Sequence, residues 1–255
     1  MTKQLAKAVA AVERRGILLV FPFQNRPDPP SLWGELYPRR EMRWAWDEGS
    51  DPRVAELWHL REALARSQRV VYGKWWKNRA TLFSRPVFRA LLADLRARFD
   101  LFADLSRDAR GLLEILDDDS PRSTKALRKA SGLPDARFQS ELKALWSRLL
   151  IVGVGEVDDG SFPSLAVGTT RLLFEDEWAA AAAGASREDH AALERALAGS
   201  PSFQRELTRV TAALVAAEAP DVQPTKEARG KRAPRAGGKA RFSDVIEGPL
   251  ARPRR

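Results

Sequence analysis

Apolar residues recur at helical spacing over residues 2–15, where Leu5, Val9 and Val12 share one face and Gly16 supplies a stop. A helix is predicted there. Ile17–Phe23 is a short unbroken apolar run and reads as a strand, and the proline-rich stretch Asn25–Ser31 as a loop. Asp51-Pro52 opens a second helix that Val54, Leu57, Trp58 and Ala65 continue. Arg69–Ser84 reads as a β-hairpin: Val70, Val71, Tyr72, Trp75 and Trp76 in one arm, Lys77-Asn78 at the turn, Ala80–Phe83 in the other. Ser84 then caps a helix to about Phe99 with Val87, Leu91, Leu92 and Leu95 inside.

The middle third carries the most specific pattern. Ser106 caps a helix through Leu116, followed by a loop, Asp117–Arg122. Ser123 caps a short helix, Thr124–Ala130, which Gly132 ends, and Pro134-Asp135 opens a helix to about Leu149. A strand (Ile151–Val157), a turn (Asp158–Gly160) and a second strand (Ser161–Val167) follow. Helix, helix, glycine turn, helix, hairpin is the order of a winged helix-turn-helix.

Residues 170–218 are alanine-rich and read as two or three helices. From Pro220 the chain is rich in Lys, Arg, Pro and Gly with little to bury, which predicts disorder, with Phe242–Leu250 as a short docking motif inside it. The expected architecture is α+β. Its units are an N-terminal region (1–105) carrying the hairpin, the winged helix (106–168), C-terminal helices (169–219) and a basic tail (220–255).

The 255 residues include no cysteine, which excludes disulfides, thiolate metal sites and cysteine nucleophiles. No apolar run reaches the roughly 18 residues of a membrane span, and residues 1–15 lack the pattern of a signal peptide, so a cytoplasmic location is expected. The formal net charge is +9, unevenly spread. Lys226–Arg255 holds ten basic residues against three acidic ones, and Arg61–Arg98 holds ten against Glu62 and Asp94, which leaves the remainder acidic. Such segregation points to a polyanionic partner more directly than a uniformly high isoelectric point.

Four constellations bear on function. In the helix from Asp135, Phe138, Leu142, Leu145 and Leu149 form the packing stripe, which leaves Ala136, Ser140, Lys143 and Ser147 opposite, flanked by Arg137 and Gln139. Such a face can reach base edges in a major groove, with Arg122, Lys125, Arg128 and Lys129 of the preceding segment meeting phosphates. Against this, Ser106–Gly160 is slightly acidic and ends in an acidic wing tip, and winged helices also serve as plain packing modules. Second, the hairpin sets Lys74, Lys77, Arg79 and Arg85 beside Tyr72, Trp75 and Trp76, a combination that neutralises phosphate and stacks on unpaired bases. Strand alternation would instead bury at least one of the tryptophans. Third, Trp33, Tyr37, Trp44 and Trp46 with Arg39, Arg40 and Arg43 form either a base pocket or a satellite core. Catalytic potential is thin. His59 reads as structural, His190 as exposed and inert, and Asp117-Asp118-Asp119 as a solvated loop, and no spacing matches a metal site, a Ser/His/Asp set or a phosphate loop. No cofactor and no metal are expected.

Two stretches carry a resemblance: Val70-Val71-Tyr72-Gly73-Lys74-Trp75-Trp76 running through Ala80-Thr81-Leu82-Phe83-Ser84 into Val87–Leu95, and the segment Arg107–Val157. They resemble the AlkZ/YcaQ family of bacterial winged-helix DNA glycosylases, which repair alkylated or crosslinked bases. The family positions its water with Gln-x-Gln or Gln-x-Asp. None of Gln4, Gln24, Gln68, Gln139, Gln204 and Gln223 is followed two residues later by Gln or Asp. Gln24-Asn25-Arg26 is the nearest approach, which makes Gln24 the one catalytic candidate.

The resemblance and the charge pattern together imply DNA as the partner, double-stranded foremost, with damaged or unpaired DNA as further candidates. The expected function is a DNA-binding accessory protein without catalysis. The alternatives are a divergent glycosylase that excises alkylated bases and a protein-interaction scaffold.

Overall fold

The computed structural model describes residues 2–44, 51–159 and 163–218. The expected α+β class is observed: among these residues the chain forms eleven α-helices and one six-stranded antiparallel sheet. Helix α1 (Lys3–Arg15) begins at Thr2, whose hydroxyl accepts from the Leu5 amide, and ends at Gly16. Gly16 sits at φ +77°, and a Cβ there would come within 3 Å of both Ala196 and Val87. Backbone conformation and close packing both demand glycine.

Strand β1 (Ile17–Leu19) is shorter than the predicted run to Phe23. Val20 still bonds the Ala80 carbonyl at 2.9 Å, but Gln24 and Asn25 take left-handed φ of 54° and turn the chain away. Helix α2 (Leu32–Leu36) follows, capped by Ser31, and then α3 (Pro52–Ser67) with Asp51 as N-cap. The hairpin is β2 (Val70–Gly73) and β3 (Thr81–Ser84), and the link between them differs from expectation. Trp75 and Trp76 lie outside the strand, because the chain leaves it after Gly73 and makes a 3-10 turn at Trp76–Asn78 with Lys77 and Asn78 at positive φ. Both tryptophans are therefore buried, where strand alternation would have spared one. Ser84 precedes α4 (Arg85–Arg98) but its hydroxyl makes no capping bond.

Next come α5 (Arg107–Asp118), the two-residue strand β4 (Arg122–Ser123), α6 (Thr124–Ser131) and α7 (Asp135–Ser147). Strands β5 (Ile151–Val157) and β6 (Ser164–Thr169) complete this part. The predicted turn and wing tip run into residues 160–162, outside the described residues. Four helices follow rather than two or three: α8 (Thr170–Leu173), α9 (Glu175–Ala183), α10 (Arg187–Ala198) and α11 (Pro201–Glu218). The tail beyond 218, with the motif Phe242–Leu250, lies outside the described residues.

The strand order is β1-β3-β2-β5-β6-β4. The first hairpin and the later strands thus share one sheet, joined where Tyr72 pairs with Gly153. Strand β4 closes it by pairing Arg122 with Val167 and Ser123 with Ala166. Leu18, Val20, Val70, Tyr72 and Leu82 face a core under α1–α3, whereas Ile17, Leu19, Val71 and Phe83 face another that includes α4, α5 and α7. Cover on both faces is why these strands read as continuous apolar runs. Helices α9 and α10 pack on α4.

Candidate nucleic-acid interface

On α7 the predicted stripe is buried: Phe138, Leu142, Leu145 and Leu149, joined by Trp146. Ala136, Arg137, Gln139, Ser140 and Lys143 are exposed. The substantial partners of α7 are α5, the 3-10 turn at Trp76–Asn78 and β5, and none of α8–α11 is among them. Glu141 falls inside the apolar stripe and is 5% exposed. It accepts from the Ser106 hydroxyl at 2.6 Å and pairs with Arg137 at 2.8 Å, and Arg137 also bonds Asp108 at 2.8 Å. The guanidinium is thus held by two carboxylates at the helix start, Asp108 foremost, and its pKa is pushed up. A carboxylate in an apolar stripe was the sequence signal for this support, and the sequence reading passed over it.

Helix α6 precedes α7 in the chain and packs on α5 and β6. Ser123 accepts from the Ala126 amide at 3.0 Å and so caps it. Lys125 and Lys129 are exposed. The Lys125 ammonium donates to the Asp159 carbonyl at 2.5 Å, Arg122 pairs with Asp119 at 2.7 Å, and Arg128 lies 3.5 Å from Asp135. Lys129 and Lys143 have no carboxylate partner among the described residues. Asp159, part of the acidic wing tip, is half-buried. Its carboxylate accepts from the hydroxyls of Ser123 and Ser164, which hold it below the usual carboxylate range.

The basic segment Arg61–Arg98 is not an open cationic surface. Arg61 is buried, pairs with Glu156 and lies 4.2 Å over the Trp58 ring. Arg66 pairs with Glu62, Arg69 with Glu13, Arg85 with Glu177, and Arg89 with Asp189 at 2.6 Å. Arg96 donates to the Trp178 carbonyl and Arg98 to that of Asp94. Carboxylates distant in sequence therefore neutralise Arg61, Arg69, Arg85 and Arg89, four of the ten cations counted in sequence.

Lys74, Lys77 and Arg79 remain without a carboxylate on their side chains among the described residues. The Lys77 ammonium stands 4.8 Å from the Trp76 ring, and the Arg79 guanidinium 5.0 Å from that of Phe23. Trp76 is 2% exposed and its indole N–H donates to the Ser202 carbonyl, so no face of it is offered to a base. Its 3-10 turn touches α7, which places the hairpin's cations beside that helix.

In the tryptophan-rich loop, Trp33 is buried and its indole N–H donates to the Arg40 carbonyl at 2.8 Å, with Tyr37 at 4.8 Å between ring centroids. That is the satellite-core alternative. Trp46 lies outside the described residues. Gln24 is exposed on the loop after β1. Asn25 beside it is engaged on both amide atoms by the Met42 backbone, and Asp28 accepts from Ser200 and Ser202. His59 is exposed, against its reading as a structural residue, and His190, expected to be exposed, is half-buried and lies 3.4 Å from Asp94. Of the acidic run, Asp117 pairs with Arg171 and Asp119 with Arg122, so two of the three anchor neighbouring segments. Among the described residues no group of carboxylate or histidine ligands could hold a metal ion, and no helix is long and apolar enough to cross a membrane.

In comparisons with known proteins, a family model described as AlkZ related matches residues 2–200. No curated protein matches the chain, and no solved structure does.

Proposed function

Since the chain belongs to the AlkZ-related family, we propose that it is a DNA-binding protein of DNA repair that grips duplex DNA with a winged helix-turn-helix, α5 to β6, without itself excising a base. The observation that supports this is the outward face of α7. Arg137, Gln139, Ser140 and Lys143 all stand in solvent there, and Lys125 and Lys129 are exposed on the preceding helix α6. In this reading α7 is the recognition helix, with Lys125, Lys129 and Lys143 on phosphates and Gln139 and Ser140 toward base edges, while Arg137, held by Asp108 and Glu141, fixes the start of the helix. Lys74, Lys77 and Arg79 extend the phosphate contacts. β4 on β6 supplies the third strand of the wing. An open face on α7 also supports DNA binding over a scaffold, whose self-association through the chain's own helices would cover it.

Binding without excision is the preferred reading because Gln24 stands alone. Of the polar side chains after it, Asn25 and Asp28 are spent on holding the loop and the start of α11. The experiment is fluorescence anisotropy of normal, alkylated and single-stranded DNA against the full chain over a range of salt, with abasic-site cleavage read in parallel. Phosphate contacts release counterions, so the affinity should fall steeply with salt. Salt-insensitive binding, or none, overturns the proposal, and base release that is lost in Gln24→Ala replaces it with the glycosylase reading.

A further inference from the structure

The cations that escape internal pairing also gather at a second place. A cleft of about 610 Å³ opens between the loop after β1, α2 and the segment behind it, with Arg15, Asn25, Arg26, Glu35, Arg39 and Arg40 in its wall. Of its two carboxylates, Glu35 is half-buried and paired with Arg15 at 2.7 Å and Arg14 at 2.6 Å, and Glu41 is exposed at the rim beside Arg40. Arg26, Arg39 and Arg40 are exposed and have no carboxylate partner among the described residues. Beyond Arg39 and Arg40 a neighbouring cleft of about 430 Å³ continues past Glu41 and Arg43 to Arg53, which is paired with Asp51 at 2.6 Å.

The frame is rigid. The Asn25 side chain closes two bonds with the Met42 backbone, at 3.1 and 2.9 Å, so the two loops are clamped to each other. Trp33 fastens the Arg40 carbonyl from below. Arg39 itself is held at φ +62°, a left-handed conformation that a non-glycine residue keeps only where its surroundings enforce it. Three unpaired guanidiniums on an enforced frame suit phosphate oxygens, which they meet with paired N–H groups. Neither aromatic ring among the described residues of the cleft wall, Trp33 and Tyr37, is exposed. Trp33 is buried, and the Arg53 guanidinium lies 5.9 Å from its ring and 5.4 Å from that of Tyr37.

We infer that this groove binds successive phosphates of a nucleic-acid strand, at a place separate from α6 and α7 and on the other side of the sheet from α7. The inference takes the source of the phosphate from the proposed DNA binding. The test compares the full chain with an Arg26→Gln, Arg39→Gln, Arg40→Gln variant and, separately, a Lys129→Ala, Lys143→Ala variant. The log–log salt slope of duplex binding is measured for each, with the thermal midpoint as a folding control. Each phosphate contact contributes about 0.9 to the slope, so the triple variant should lose about two to three while melting as the parent does. An unchanged slope and affinity overturn the groove and leave α7 standing. A slope that changes only in the triple variant upholds the groove and removes α7 from the interface. If the parent binds no DNA, both chains are titrated with inorganic pyrophosphate by calorimetry. Binding that the triple variant loses replaces the strand with a free phosphate compound, and absence of binding overturns the site altogether.

Discussion

The ring of Tyr72 on β2 fills the space that a side chain at Gly153 of β5 would need. This pair is the register link between the first hairpin and the later strands. Gly153→Ala should therefore force the seam apart at a cost of about 1–3 kcal/mol, the usual range for overpacking. The Tyr72→Leu change in the same chain should restore part of the loss, because it vacates the space. Denaturant midpoints of the two single variants and the double variant measure the coupling, and additive losses would mean that the ring and the glycine are independent.

Arg61 and Glu156 cross the same seam on side chains 8% and 11% exposed, with the Arg61 N–H 3.4 Å from the Tyr72 hydroxyl. Burial opposes the arginine's charge, and Tyr72 and Glu156 more than restore it, so its pKa is raised. Removal of one partner strands the other charge. Glu156→Gln or Arg61→Met should cost about 3–5 kcal/mol, and Arg61→Met with Glu156→Leu much less than the sum of the single changes. Equilibrium unfolding of the three variants decides it.

Asp189 yields a pH prediction. The Arg89 guanidinium, and after it the Ser186 hydroxyl and amide, hold its carboxyl below the usual range. A carboxyl with a lowered folded-state pKa stabilises the fold above its unfolded value of about 3.9, and that stability is lost as pH falls through the folded value. The gap in thermal midpoint between the parent and Asp189→Asn should be full at neutral pH and close as the pH drops below about 4. A gap independent of pH would assign the residue's contribution to shape and not to charge.

Local order was legible in the sequence. Ser106, Ser123 and Gly132 mark helix boundaries by capping chemistry that acts over three or four residues, and the 138–142–145–149 stripe fixes which side of α7 is buried. Long-range neutralisation was not. Glu156 pairs 95 residues after Arg61, Glu177 92 after Arg85 and Asp189 100 after Arg89, so a local charge count saw the arginines without their partners. The tryptophans were misplaced for a similar reason, since the pocket that takes the Trp76 indole is made by Ser202 in α11. The cationic groove escaped because its frame, Asn25 on Met42, joins residues whose spacing carries no period.

The same contrast separates cations that hold the fold from cations that meet a ligand. Arg89 is bound to Asp189 at 2.6 Å and lies 3.8 Å from Glu177, whose side chain is 2% exposed. Arg89→Gln leaves both acids underpaired and should cost about 1–3 kcal/mol, the penalty for a buried polar group that loses its partner. It should leave the salt slope of DNA binding where it was, because this guanidinium was never available to phosphate. Lys129→Ala and Lys143→Ala should do the reverse. Exposed side chains without carboxylate partners contribute little to stability, within about 0.5 kcal/mol, yet each ammonium removed from a phosphate should lower the slope by about 0.9. Thermal melts and salt-dependent anisotropy on the same preparations place each cation in one class. A slope that follows Arg89 and ignores both lysines would mean that DNA binds near the α4–α10 junction, with the outward face of α7 left free.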